Sequence, residues 1–488
     1  MSNEHYYAVI VGSGPAGLGV AEMLKNEPLL SSRTLILEKG KHLDERTCFV
    51  REGKKCRNCK PCNILCGLGG AGPYTDGKIC LYRQDLNELF PHSQENENSE
   101  GISNKINHYL EMVKEIWTTH GASDFKEIKI NDKMKVLKAE ALKSSIDYIC
   151  YPVLHIGSDG AKEVIKSYIK DITKVGIKIE INSNVVAIDK INKEFEITYQ
   201  KINTFNDIEI RKVTADFLVL ALGREMQRPT YINQLLKNLK LTFKPKNLEI
   251  GCRVEVPYQI MEYTTQVTFD PKFIMITPTY QDYVRTFCTC DRGRVVREGS
   301  CVNGHIDRNK LTDNTNFAVL VRWPLDSLIL DDAMDYGNTI AKLTLSQGKN
   351  KPIIQRLGDL KKGIPSTVES IKKSYIKPTL RVDWLVTPGD IASCYPKRII
   401  TDILEGFEIL SNVLKGINND QNLLYAPEIK PTCSIHLKEG VKTEVPNLYV
   451  CGDFSGYTRG IAQAMSMGIM VGEDIINEVK KGFQLRYI

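Results

Sequence analysis

This chain of 488 residues contains no apolar run approaching the length of a membrane span, so no membrane-crossing helix is expected. No charged-then-apolar leader precedes the first apolar segment, and the expected compartment is the cytoplasm. Neither sign of charge dominates: 65 basic residues stand against 59 acidic ones, and the net charge of +6 is dispersed, so no nucleic-acid partner is indicated. The one local concentration of cations, Arg51, Lys54, Lys55, Arg57 and Lys60, reads as a solvated loop or as an attractor for an anionic substrate or redox partner. Residues 225–428 lack a second glycine fingerprint behind a strand. That absence disfavours an enzyme with two preformed nucleotide domains.

What is present begins at the start of the chain. Tyr6-Tyr7-Ala8-Val9-Ile10-Val11 reads as a strand, Gly12-Ser13-Gly14-Pro15-Ala16-Gly17 as a turn, and Leu18 to Lys25 as a helix. Gly12 permits the tight turn, Gly14 lets a pyrophosphate approach the backbone, and Gly17 lets helix and strand pack closely. The helix N-terminus offers free N–H groups to the anion. A second apolar strand, Thr34 to Leu37, ends at Glu38, where a dinucleotide site needs an acid for a ribose hydroxyl.

Length suggests two or three structural units, and 42% hydrophobic with 25% charged residues is ordinary for a globular chain. Gln94 to Asn104 is polar and expected as an exposed loop; helices are expected over Lys105 to Thr118 and Ala161 to Lys174. From Gly176 short alternating segments (177–181, 185–188, 195–199, 208–210) predict a strand meander. It ends in Asp216 to Leu222, a fully apolar strand run into Gly223, as for a buried parallel strand. Asn447 to Cys451 is another buried strand, running into Gly452-Asp453, and a helix starts at Gly460-Ile461. The expected fold class is α/β: a discontinuous Rossmann-like domain with a parallel sheet and a meander (1–92, 151–224 and 429–488), plus an inserted mixed α+β substrate or cap domain (93–150 and 225–428).

These pieces resemble the FAD-binding flavoprotein oxidoreductases of the glutathione-reductase-like type, with Ala221-Leu222-Gly223 and Gly452-Asp453 standing for their second and third segments. Closer still is the resemblance to the group of FAD-dependent dehydrogenases. It is carried by Gly69-Gly70-Ala71-Gly72-Pro73-Tyr74-Thr75-Asp76-Gly77-Lys78, His155-Ile156-Gly157-Ser158-Asp159, Gly251-Cys252-Arg253-Val254-Glu255, Thr286-Phe287-Cys288-Thr289-Cys290 and Val302-Asn303-Gly304-His305. The resemblance implies FAD held by Gly12, Gly14, Pro15, Ala16, Gly17, Glu38, Lys39, Gly70, Ala71, Gly72, Val185, Ala221, Gly223, Gly452, Asp453, Gly460 and Ile461. It also implies that the glycine loop 69–72 packs against the flavin ring, with Lys78 facing flavin or substrate.

Three constellations could carry chemistry. Cys56-x-x-Cys59-x-x-Cys62-x-x-x-Cys66 has the spacing of a bacterial ferredoxin run. Three readings stay open for it: a [4Fe–4S] cluster, with Cys48 or Cys80 as substitute ligands; zinc; and free or redox-exchanging thiols. Cys288 and Cys290 form a C-x-C pair whose strained bridge would suit a redox role. His305 is a candidate general acid or base, and Lys78 a candidate contact to substrate. The leading expectation is an FAD-dependent oxidoreductase, a dehydrogenase or reductase that exchanges a hydride between flavin N5 and a small organic substrate. NAD(P)H bound transiently, an electron-transfer protein or the cysteine run would supply or drain electrons. The alternatives are a flavin-linked thiol–disulfide oxidoreductase using Cys288 and Cys290, a monooxygenase, and a redox-switched flavin sensor or RNA-binding protein without turnover.

Overall fold

The computed structural model describes residues 4–52, 54, 57, 59–90, 99–122, 127–203, 205, 207–223, 236–307, 309–323, 333–382, 384–438 and 440–484. Alternation and apolar runs build two large sheets, joined by a two-stranded sheet of Arg294–Glu298 and Cys301–His305 and a three-stranded sheet of Lys78–Cys80, Val153–His155 and Glu127–Ile128, and the chain crosses between the large sheets several times. In the first, seven strands lie in the order Lys178–Glu180, Thr34–Leu37, Glu4–Val11, Ile208–Leu220, Glu194–Ile202, Ser183–Ile191, with Leu448–Val450 also paired to Ile208–Leu220. The pairings of Glu4–Val11, Thr34–Leu37, Lys178–Glu180 and Leu448–Val450 are all parallel. Those with Glu194–Ile202 and Ser183–Ile191 are antiparallel. Ile208–Leu220 serves both halves: residues 208–215 pair with the meander, and 218–220 with the strand from the far end of the chain.

The helices Pro15–Leu24 and Ile461–Gln484 cross on this sheet at backbone contact. A Cβ on Gly19 would stand 2.3 Å from Met465 O, and one on Gly468 2.0 Å from Ala16 O. Only glycine allows that approach, which brings both helix N-termini to the same end of the parallel strands.

The second sheet has eight strands in the order Thr387–Pro388, Ile353–Arg356, Leu423–Ile435, Phe243–Pro257, Asn314–Trp323, Tyr283–Cys290, Lys272–Ile276, Asp147–Ile149. Leu248, Ile250, Cys252, Val254 and Val256 turn one face of it to a large apolar core. The intervening Glu249, Arg253 and Glu255 are on the opposite face and are buried as well.

Several sequence expectations are corrected. Ser99–Trp117 is one helix, so residues 99–104 are helical rather than loop; Gln94 to Asn98 lie outside the described residues. Its stripe of Ile106, Tyr109, Leu110, Val113 and Trp117, at helical spacing, packs in the core of the first sheet. The part of 93–150 that joins the second unit is the helix Asp132–Lys143 and the strand Asp147–Ile149. The boundary expected at 428/429 falls inside the strand Leu423–Ile435. The first segment of the supposed meander, Lys178–Glu180, is a parallel edge strand beside Thr34–Leu37, and the helix expected from Ala161 begins at Gly157. No helix among the described residues is long and apolar enough to cross a membrane.

Candidate functional site

A cavity of about 760 Å³ lies between the two sheets and is lined from both. At one end it is walled by Gly12, Gly14, Pro15, Ala16, Glu38, Lys39, Val185, Ala221 and Gly223; Gly70, Ala71, Gly72, Gly452, Asp453, Gly460 and Ile461 continue the wall. Thus every residue named for the cofactor except Gly17 reaches the cavity. Gly17 packs the turn instead: a Cβ there would meet Gly12 O at 2.0 Å and Ile10 Cγ2 at 3.2 Å.

Glu38 lines the cavity and also braces the backbone around it. Its carboxylate is buried and accepts four hydrogen bonds, from Ser13 N (3.1 Å), Ser13 Oγ (2.8 Å), Gly40 N (2.9 Å) and Gly67 N (2.8 Å). It therefore ties the first glycine turn to the loop carrying the second. The two glycine segments touch, since a Cβ on Gly70 would lie 2.7 Å from Gly14 Cα. Arg46 completes the brace by donating to the carbonyls of Asn63, Ile64, Leu68 and Gly70 at 2.7–2.9 Å.

These residues fit an adenine dinucleotide bound in extended form. Gly14 and Gly223 leave backbone open to the cavity, and the N-termini of Pro15–Leu24 and Ile461–Gln484 both open onto it. Gly14 precedes a proline at the first helical position, where no N–H is missed. Asp453, anchored by a hydrogen bond from Thr458 Oγ1 at 2.9 Å, presents a carboxylate in the same wall.

At the other end a polar cluster forms where the five segments that carried the resemblance meet. Lys78 Nζ lies 2.8 Å from Asp76 and 3.6 Å from Asp270, and it donates to the Thr289 carbonyl. Burial alone would pull the Lys78 ammonium down, but Asp76 and Asp270 outweigh it and hold the lysine charged. Asp76 is likewise held well below the carboxylate range: burial opposes this, but the Lys78 charge and hydrogen bonds from Lys78 and Cys288 prevail.

Cys288 Sγ lies 3.2 Å from Asp76 Oδ2, and Cys290 Sγ lies 3.3 Å from Arg253 Nη2. Both sulfurs sit on one side because the strand bulges between Phe287 and Cys290, with Cys288 at φ 51°. A non-glycine residue in that left-handed region costs about 1–3 kcal/mol and persists only where its surroundings impose it. The Cys290 thiol is lowered despite burial, by the hydrogen bond from Cys288 and by Lys78 and Arg253. Cys288 is raised, first by the proton it shares with Cys290 and then by burial. Cys290 is therefore the more acidic thiol of the pair, and of the two Cys288 lines the cavity. Asp76, Cys288 and Cys290 also have ligand-like spacing, but Lys78 and Arg253 already occupy that charge.

His305 does not line the cavity, which corrects its expected role as acid or base. Its Nδ1 accepts from Arg51 Nη1 at 3.0 Å and lies 3.2 Å from Ser158 Oγ. Burial, then the charges of Arg51 and Arg294, push the imidazole down to about 3, so it stays neutral. Arg51, expected as a solvated cation, turns inward to make this contact and to donate to the Tyr74 carbonyl.

Cys56 lies outside the described residues, and among the described residues Cys59, Cys62 and Cys66 do not gather within 4.8 Å. Cys59 is exposed, while Cys66 is buried at the cavity wall, one turn after Cys62. Sequence reading assigned no role to Asp76, Arg253 and Asp270, whose signal was charge alternating with apolar residues or sitting beside glycine in otherwise apolar segments.

Residues 247–431 match the family described as FAD-dependent protein, C-terminal domain-like. The chain is also 25% identical over 495 residues to an uncharacterized protein of Clostridium beijerinckii, covering 96% of this chain and 80% of that one. Among solved structures it is similar to a flavoprotein/dehydrogenase from Cytophaga hutchinsonii, at 10% identity and a TM-score of 0.40, over 98% of this chain and 79% of that one. It is similar also to p-nitrophenol 4-monooxygenase PnpA from Pseudomonas putida, at 11% identity and a TM-score of 0.39, over 98% and 82% of the two chains.

Proposed function

We propose that this chain is an FAD-dependent oxidoreductase whose flavin acts on a small organic substrate held between the two sheets. The observation that carries the reading is the single cavity onto which the glycine segments at 12–14, 70–72, 221–223 and 452–453 all open, with two helix N-termini at its wall. The family match over residues 247–431 supports the same cofactor. FAD, when bound, supplies the hydride or electron chemistry. The pyrophosphate would lie at Gly12–Ala16 and the ribityl chain by Asp453. Residues 4–90, 151–223 and 436–484, with the helix Ser99–Trp117 added, would form the cofactor domain.

The chain's own residues then position and exclude. Arg46 and Glu38 fix the glycine loop, while Lys78, kept charged between Asp76, Asp270 and the Thr289 carbonyl, ties the segments of the other end together. NAD(P)H or a protein carrier would exchange electrons with the flavin. The test is the absorption spectrum of the purified protein, with the released cofactor identified by mass. FAD in near-equimolar amount is expected, and its absence after supplementation would overturn the reading. Rapid-mixing reduction by NADH, NADPH and dithionite then identifies the donor.

A second reading is favoured by the Arg253–Cys290 contact, which stabilises a thiolate next to a thiol. In it the Cys288 thiol and the Cys290 thiolate close a disulfide, and two electrons and one proton pass to the flavin. Loss of two mass units from the 288–290 peptide, reversed by dithiothreitol and absent in Cys288→Ser, is the expected signature.

A further inference from the structure

Around Glu249, on the cavity face of the second sheet, three guanidinium groups approach one carboxylate among the described residues. Glu249 is buried and bound bidentately by Arg285, with Nε–Oε1 at 2.9 Å and Nη2–Oε2 at 2.6 Å. Arg459 Nη1 approaches the same carboxylate at 3.9 Å, and Arg322 is its cross-strand partner. Three guanidinium groups thus share one carboxylate, and all three line the cavity. The Arg322 guanidinium stacks on Tyr283 at 4.0 Å, and its buried Nε has no hydrogen-bond partner among the described residues. Phe287 lies beside them, with the Arg285 guanidinium 4.7 Å from its ring.

Register explains the gathering. Tyr283, Arg285 and Phe287 alternate along one strand, and Arg285 opposes Leu320, which lies on the same face as Arg322. The sheet therefore turns an aromatic and cationic surface to the cavity, while its apolar residues fill the core behind. Three half-buried guanidinium groups around one carboxylate leave charge to be answered, and a guanidinium's planar fork matches an oxyanion. On the flavoprotein reading of the cavity, the dinucleotide phosphates would lie beside the first glycine turn rather than here.

We propose that this end of the cavity binds an organic carboxylate with a planar apolar body. Arg322 and Arg459 receive the carboxylate, and Tyr283 and Phe287 face the planar part. The inference rests on the reading of the cavity as a flavoprotein site and specifies its substrate class.

The test titrates the flavin-bearing protein with benzoate, benzamide and phenyl phosphate by calorimetry and by perturbation of flavin absorption. Benzoate is expected to bind at least about tenfold more tightly than benzamide. Arg322→Gln and Arg459→Gln are each expected to weaken benzoate about tenfold and leave benzamide unchanged. If Arg322→Gln does not fold, Arg459→Gln carries the test. Equal affinity for benzoate and benzamide, a preference for phenyl phosphate, or no binding of benzoate would overturn the proposal. The two failures separate: a purified chain without flavin overturns the reading of the cavity, whereas a flavin-bearing protein blind to benzoate overturns the carboxylate site alone.

Discussion

Arg253 and Cys290 meet at 3.3 Å inside the protein, from the two strands that flank Asn314–Trp323 in one sheet, and Gly304 stands where any Cβ would strike both. That Cβ would lie 1.8 Å from Arg253 Nη2 and 2.5 Å from Cys290 Sγ. Arg253 cannot yield easily, because Asn316 Oδ1 and the Cys288 carbonyl also hold it. Gly304→Ala is expected to destabilise by about 3 kcal/mol, at the upper end of overpacking costs. Chemical denaturation measures it; an unchanged midpoint would contradict the packing described.

Arg253 also faces Glu428 at 3.6 Å, with both side chains fully buried. Removing the arginine leaves Glu428 only Lys430 among the described residues, at 3.4 Å, so Arg253→Met should cost about 3 kcal/mol, the lower end for a broken buried pair. In the double variant Arg253→Met/Glu428→Leu much of that loss should return. A double-mutant cycle with coupling below about 0.5 kcal/mol would show that the two charges do not depend on each other.

His305 provides a pH signature. Its folded value of about 3 lies below the ordinary 6.5, so the unfolded chain binds a proton that the folded chain refuses. The stability due to neutral His305 is fully present above pH 6.5 and is lost as pH falls through the window down to about 3. Within it the slope contributed is about 1.4 kcal/mol per pH unit. His305→Asn, which keeps an acceptor for Arg51, should remove that slope. Urea titrations of both proteins between pH 4 and 7 read the difference.

Glu38 joins the two glycine loops through four accepted hydrogen bonds. Glu38→Gln replaces one acceptor oxygen with a donor facing N–H groups, and should destabilise by about 2 kcal/mol. Flavin content after dialysis should fall with it. Full flavin retention with an unshifted Tm would show that the brace is dispensable.

The glycine turn at 12–17 and the strands around it were legible because they are local: a tight turn, an apolar strand and a helix need only neighbouring residues. Glu38 was legible as the residue ending a strand. Its partners Gly40 and Gly67 were not, since the loop carrying Gly67 reaches it only after folding. The strand holding Glu249, Arg253 and Glu255 shows its alternation plainly in sequence, yet charge at every second position reads as a solvated face. The structure buries that face. Such charges are tolerated there because each finds a counter-charge or hydrogen bonds from other strands, which no local pattern records.

The sequence by itself therefore determined the dinucleotide turn, the apolar strands of the first sheet and the glycine positions that let two helices cross. Conformational freedom and side-chain periodicity act over a few residues. Only the tertiary structure brought Asp76, Arg253, Cys288, Cys290 and Gly304 into one cluster, turned His305 away from the cavity, and left the sulfurs of Cys59, Cys62 and Cys66 apart. Those outcomes depend on register between strands far apart in the chain and on which charges burial leaves without a partner.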